Sequence, residues 1–360
     1  MPKTILIVSA PAAYGGGEVY VEQLVQELRQ NYRFVVMTSL GSWRRSLAQQ
    51  RVHSWPLLGA VRFYSIWGVR LYRLLLPWQQ LQLLLAVWRW RPDVIWVQSN
   101  EERLAVADVA RWCQVPVLWS MHGPIDASGS RWYQKRFRQA ASKASRIICV
   151  SKHVRDAAVA AGARPDQCQL IPNGVAVPRA ALPDVPTGTV AFIGRLEIEK
   201  GPDIFVAAAL RVLSLRPQTQ FVIAGDGSLM AALKHQAASA GAAIRFLGWT
   251  PSAAVLVDCQ LVVAPSRVEA QGLAVLEAMA SGRPVVAAHV GGLAEIITSG
   301  KTGQLVPPND PVALAEAIAQ LLDDPAQRRR LGHQGRVHVE QHYQQAGWVS
   351  ATHQVLEHVL

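Results

Sequence analysis

Short runs of β-branched and aliphatic residues alternate with longer helical segments along the whole chain, which is the pattern of parallel sheets covered by helices. In the first half the runs are residues 4–10, 34–39, 94–99, 115–121 and 146–151. In the second half they are residues 189–195, 220–227, 244–249, 261–266 and 284–290. The stretch between the two series is proline-rich and has neither helical nor strand periodicity, so it reads as a linker. The expected organisation is an α/β chain of two Rossmann-like domains facing across a cleft, residues 1–175 and 189–343, joined by residues 176–188. Residues 344–360 read as an amphipathic helix that needs a surface, expected to be the first domain. Ligands of open parallel sheets bind beyond the carboxyl ends of the strands, so the cleft should hold the site.

Half of the 360 residues are hydrophobic, which excludes intrinsic disorder. The net charge of +11 is unevenly placed: residues 1–170 carry 22 Lys and Arg against 10 Asp and Glu, the remainder 14 against 15. The first half therefore suits an anionic partner such as nucleic acid, a lipid headgroup or a phosphorylated substrate. Ten of the twelve tryptophans lie in the same half, and Trp beside Arg is the composition of a membrane–water interface. Four cysteines, Cys113, Cys149, Cys168 and Cys259, are far apart, without CxxC or metal-ligand spacing, which points to a reducing compartment. The apolar run near the N-terminus is shorter than most signal-peptide cores and reads as a buried strand before a glycine loop. No apolar stretch reaches the ~18 residues of a transmembrane helix, so a soluble or peripheral, cytoplasmic protein is expected.

Residues 58–91 interleave Leu and Trp with Arg62, Arg70, Arg73, Arg89 and Arg91 and contain no acid. Two readings stand side by side. One is a core-packing helix pair broken near Pro77, the other an interfacial segment resting on anionic lipid.

Three elements carry the chemistry. Tyr14-Gly15-Gly16-Gly17-Glu18 follows the first strand and opens a helix, where glycines let backbone N–H groups approach a phosphate. It is not GxGxxG, which speaks against a dinucleotide fingerprint. Gly194-Arg195-Leu196-Glu197-Ile198-Glu199-Lys200-Gly201 follows the first strand of the second half and places two cations where a diphosphate could sit. The alternative is a solvated loop in which Lys200 balances Glu197 and Glu199. In residues 264–297, Glu269 lies in a loop and Glu277 in a helix beginning near Gly272, with the amides of Gly272 and Leu273 free for phosphate or hydroxyls. Two such carboxylates suit sugar and ribose hydroxyls.

These motifs, with residues 150–162, 170–175, 222–229, 246–249 and 302–310 in order, resemble the retaining family 4 glycosyltransferases of GT-B fold (glycosyl transferases group 1). The resemblance is dense in the second half and rests on GGGE and SMHG (120–123) in the first. It implies transfer of a hexose-type sugar from a nucleotide diphosphate to a hydroxyl with retention, with no cofactor and no essential metal. By motif, Arg195 and Lys200 hold the diphosphate, Glu277 the ribose and Glu269 the transferred sugar, with Gly272 and Leu273 adding amide contacts. Gly16 and Gly17 approach the diphosphate, His122 lies beside the reacting sugar, and the base stacks near Gly225 and Leu247.

One departure matters. Where the family commonly has Glu-Gly-Phe-Gly, this chain has Glu269-Ala270-Gln271-Gly272, which places a polar side chain where an apolar one packs. Ala270 fits if its φ is negative.

Charge and tryptophan together point to peripheral association with the inner face of an anionic membrane and to a lipid-linked or envelope-polysaccharide acceptor. The alternatives are a soluble enzyme acting on a small or acidic glycan and an inactive sugar-nucleotide-binding relative. A nucleic-acid partner is not expected, because no RNP, zinc or helix-turn-helix signature accompanies the charge.

Overall fold

The computed structural model describes residues 2–10, 15–58, 66–100, 102–123, 131–185 and 188–360. Tyr14 of the glycine cluster and Arg62 lie outside the described residues. The chain divides into two compact units, Met1–Pro172 with Trp348–Leu360, and Asn173–Gly347.

The first unit is built on a seven-stranded parallel sheet of β1 (Lys3–Ser9), β2 (Tyr32–Thr38), β3 (His53–Pro56), β4 (Val94–Val97), β5 (Val117–Met121), β6 (Arg146–Cys149) and β7 (Cys168–Leu170), in the order β3-β2-β1-β4-β5-β6-β7. The sequence reading finds five of these strands and misses β3 and β7, which are three to four residues long at the sheet's edges. Ile5 and Ile7 point into one core with Tyr20, Leu24, Trp43 and Trp96. Trp348, Val355 and Leu356 of the last helix, Gln345–Val359, complete that core. The C-terminal helix therefore returns to the first unit, as its amphipathic pattern requires.

Residues 66–90 correct one reading. They form a single helix, Ile66–Trp90, that runs through Pro77 instead of breaking there. Pro77 is exposed, so the carbonyl that loses its helical partner can turn to water.

In the second unit β8 (Thr189–Ile193), β9 (Phe221–Ala224), β10 (Ile244–Gly248), β11 (Cys259–Ala264), β12 (Val285–Ala288) and β13 (Gln304–Val306) form a parallel sheet ordered β10-β9-β8-β11-β12-β13. Val190 and Phe192 of β8 enter one core, Ala191 and Ile193 the other, so the sheet is buried on both faces. Phe205 of helix Pro202–Leu215 and Ile318 of helix Pro311–Asp323 cover one face; Leu276 and Met279 of helix Leu273–Ala280 cover the other. Residues 176–185 carry no regular element and group with the second unit. Two Rossmann-like lobes with a terminal helix carried back to the first are the GT-B architecture.

Candidate active site

In the second unit the candidate residues sit on loops that leave the carboxyl ends of β8, β9 and β11. After β8 the chain passes through Arg195 into a short 3-10 turn, Ile198–Lys200, and then through Gly201 into helix Pro202–Leu215. Gly201 has φ 65°, and a Cβ there would stand 2.2 Å from the carbonyl oxygen of Pro265. Glycine is thus required for the turn to lie against the loop after β11.

The two loops are stapled together. The amides of Arg267 and Val268 donate to the carbonyl of Glu199 at 2.8 and 3.1 Å. The Arg267 guanidinium donates to both carboxylate oxygens of Asp203 at 2.8 and 2.7 Å and to the carbonyl of Ile198 at 2.8 Å. This pairing lowers the pKa of Asp203, the Arg267 hydrogen bond being the main cause. The result is that Lys200 Nζ donates to Glu269 Oε1 at 2.8 Å and Oε2 at 2.6 Å, while Ser266 Oγ donates to Oε2 at 3.2 Å. Lys200 therefore pairs with Glu269 and not with Glu197 or Glu199. It is Arg195 that meets Glu199, at 2.8 Å on the surface, and Glu197 accepts from the amide and hydroxyl of Ser228.

Gly225 belongs to the same corner. Its φ is +147°, its amide donates to the carbonyl of Gly248 at 2.7 Å, and an added Cβ would meet the oxygen of Gly194 at 1.8 Å. The loop after β9 thereby lies directly on the start of the Arg195 loop. Leu247 on β10 is 40% exposed and Trp249 just beyond it 68%, leaving apolar surface beside this corner.

Gly272, at φ 99°, caps helix Leu273–Ala280 without a side-chain hydrogen bond to the first turn. Glu277 is half-buried one turn on. Burial pushes its carboxyl upward in pKa, opposed by a hydrogen bond to Ser252. Ala270 keeps a negative φ, as the loop needs. Gln271 is buried and replaces apolar packing with two hydrogen bonds: its Oε1 accepts from the amide of Asn173 at 2.9 Å and its Nε2 donates to the Asn173 carbonyl at 3.1 Å.

In the first unit Gly16 and Gly17 are the first residues of helix Gly16–Leu28, and Glu18 Oε2 accepts from the amide of Gly15 at 2.8 Å. A Cβ at Gly17 would find nothing within 4 Å, so this chain's own packing does not demand glycine there. His122 follows β5. Its Nε2 lies 2.8 Å from Gln98 Oε1, and its ring stands edge-on to Tyr20 of the glycine-opened helix at 4.6 Å. Burial, with the nearby Arg103 charge, pulls the imidazole down to about 4. His122 is therefore neutral at physiological pH and able to hydrogen-bond.

Sequence reasoning missed the partners: Ser266 and Arg267, Gln98 and Tyr20, and Asn173. None carries a spacing signal, since each meets its target through tertiary folding. Within the second unit the structure brings Arg195, Lys200, Gly225 and Glu269 to neighbouring loops, with Gly272, Leu273 and Glu277 following on the helix after β11.

Comparison with known proteins bears on family and fold. The profile of glycosyl transferases group 1 matches residues 179–338, and that of glycosyltransferase family 4 matches residues 14–179. A Mycobacterium tuberculosis glycogen synthase is 29% identical over 288 residues, 74% of this chain and 69% of its own length. A GDP-mannose-dependent monoacylated alpha-(1-6)-phosphatidylinositol monomannoside mannosyltransferase of Corynebacterium glutamicum is 34% identical over 164 residues, 43% of each chain. The crystal structure of Anabaena HepE in complex with UDP and glucose superposes with a TM-score of 0.80 at 20% identity, covering 98% of this chain and 99% of that one. The chain belongs to the group 1, family 4 glycosyltransferases of GT-B fold, retaining enzymes that use nucleotide diphosphate sugars.

Proposed function

We propose that this enzyme moves a hexose-type sugar, without a metal ion, to a hydroxyl of a lipid-linked or envelope-polysaccharide glycan at the inner face of a cell membrane. The observation that carries the reading is the Lys200–Glu269 pair at the mouth of the second sheet, where a cation and a carboxylate are held ready by Ser266 and the Arg267–Asp203 staple. In this reading Lys200 and Arg195 take the diphosphate, Glu269 accepts hydrogen bonds from the sugar, and the amides of Gly272 and Leu273 add donors. Glu277 takes the ribose hydroxyls, and Gly225 and Leu247 flank the base. In the first unit, Gly16 and Gly17 offer amides suited to a phosphate, and His122 offers a neutral imidazole suited to a sugar hydroxyl.

The acceptor oxygen bonds to the anomeric carbon on the face the phosphate leaves. The carbon–oxygen bond to the diphosphate breaks with its electron pair, and the acceptor proton passes to a phosphate oxygen. Negative charge grows on the diphosphate, which is where two cations and a helix N-terminus stabilise it most. The acceptor assignment is supported by the charge and tryptophan of the first half and by the lipid named in the Corynebacterium relative.

Glu269→Gln and Lys200→Ala are each expected to lower transfer by about a hundredfold or more, the scale of losing one preorganised electrostatic contact. Circular dichroism should be unchanged. Near wild-type turnover in either variant contradicts the assignment.

A further inference from the structure

The helix Ile66–Trp90 carries two apolar seams. Tyr72, Leu76, Leu83, Ala86 and Val87 turn inward and are buried. Leu71, Leu74, Trp78, Leu81, Leu85 and Trp88 form the second, spaced alternately by three and four residues, and all six are 45% to 77% exposed. A 3-4 spacing keeps the six on one stripe, about 26 Å long at 1.5 Å per residue. Such a contiguous stripe is far more than the scattered apolar exposure of an ordinary surface.

Charge identifies what covers it. Residues 58–91 contain no Asp or Glu, and Arg70 and Arg89 flank the seam. The guanidinium of Arg73 lies 5.1 Å over the ring of Trp132, which ties this helix to helix Arg131–Ala141. That helix also lacks an acid and exposes Arg131, Lys135 and Arg138 at the i, i+4, i+7 spacing of a single face. Neither helix carries a carboxylate, and Asp108 beside them already accepts from Gln80 and pairs with Arg136, so a second copy of the chain laid on the seam would set arginine against arginine. An anionic bilayer answers both features, taking Leu and Trp among its acyl chains and the arginines among its headgroups. No helix among the described residues is long and apolar enough to cross a membrane, so the seam would lie in the interface plane.

We infer that the exposed Leu71–Trp88 seam, with the basic face of helix Arg131–Ala141, is a docking surface for an anionic lipid bilayer. This rests on the proposed membrane-linked acceptor and names the surface that would bring the enzyme to it.

The test is flotation of the full chain with vesicles of equal parts phosphatidylglycerol and phosphatidylcholine, and with phosphatidylcholine alone. Wild type should float with the anionic vesicles at low salt, release as salt rises, and stay behind with the neutral ones. Leu74→Ser combined with Trp88→Ser should lower the bound fraction at least tenfold while circular dichroism and donor-sugar hydrolysis stay as in wild type. Equal binding of that variant, equal binding to neutral vesicles, or a wild-type dimer in light scattering that the variant dissolves would each overturn the inference. Hydrolysis measured in the same samples keeps the readings apart, since lost flotation with intact turnover strikes the docking surface and not the enzymatic assignment.

Discussion

At the scale of single residues, the fold has already set the charge state of one group of the proposed site, His122. Its neutral form is favoured in the folded chain, by burial first and Arg103 second, so protonation is deferred to about pH 4. The unfolded chain takes that proton near 6.5. The corresponding stability is fully present above about 6.5 and is lost as pH falls toward 4. A titration of the His122 ring by NMR should therefore find its midpoint near 4, and a midpoint near 6.5 would show that the Gln98–Tyr20 setting does not bury it. In the sequence, Arg195, Lys200, Glu269 and Glu277 each stand in a motif of defined spacing. Their pairings are not legible there. Lys200 has two acids within three positions and pairs instead with one 69 positions away, because Gly201 folds the turn onto Pro265.

At the scale of elements, loops matter more than strands. The loop bearing Glu269 is fixed at one side by Arg267 and at the other by Gln271, whose amide reads the backbone of Asn173 in both directions. The polar residue that breaks the family's usual motif is thus a structural replacement for an apolar plug. Gln271→Ala would leave a buried amide and carbonyl unpaired, at a cost of about 1–3 kcal/mol. That corresponds to a fall of roughly 3–10 °C in the melting of the second unit, read by calorimetry; an unchanged transition would mean that these bonds hold nothing. The helix Ile66–Trp90 teaches the complementary lesson. From sequence, Pro77 looked like a break, but burial of Tyr72, Leu76, Leu83 and Ala86 along one side holds the helix through it. Edge strands β3, β7 and β13 are too short to show a period of two, whereas the central strands were legible because burial on both faces makes them continuous apolar runs.

At the scale of the molecule, the two halves differ in composition. The second half is near neutral and carries most of the family motifs; the first is basic, rich in tryptophan and thinner in family motifs. The second half was therefore readable as ordered motifs, while the first half showed its character only as charge and aromatic content, which the structure resolves into an exposed seam and a basic face. The central claim, that cationic side chains of the second unit serve retaining transfer from a nucleotide diphosphate sugar, is tested most directly by NMR. The enzyme is incubated with a panel of nucleotide diphosphate sugars in the presence of chelator, with and without membrane-lipid acceptor extract. The account predicts that at least one donor is consumed, that nucleotide diphosphate appears, and that the first-formed sugar product keeps the donor's anomeric configuration. Product of inverted configuration, turnover restored only by magnesium or manganese, or no turnover of any donor would contradict it.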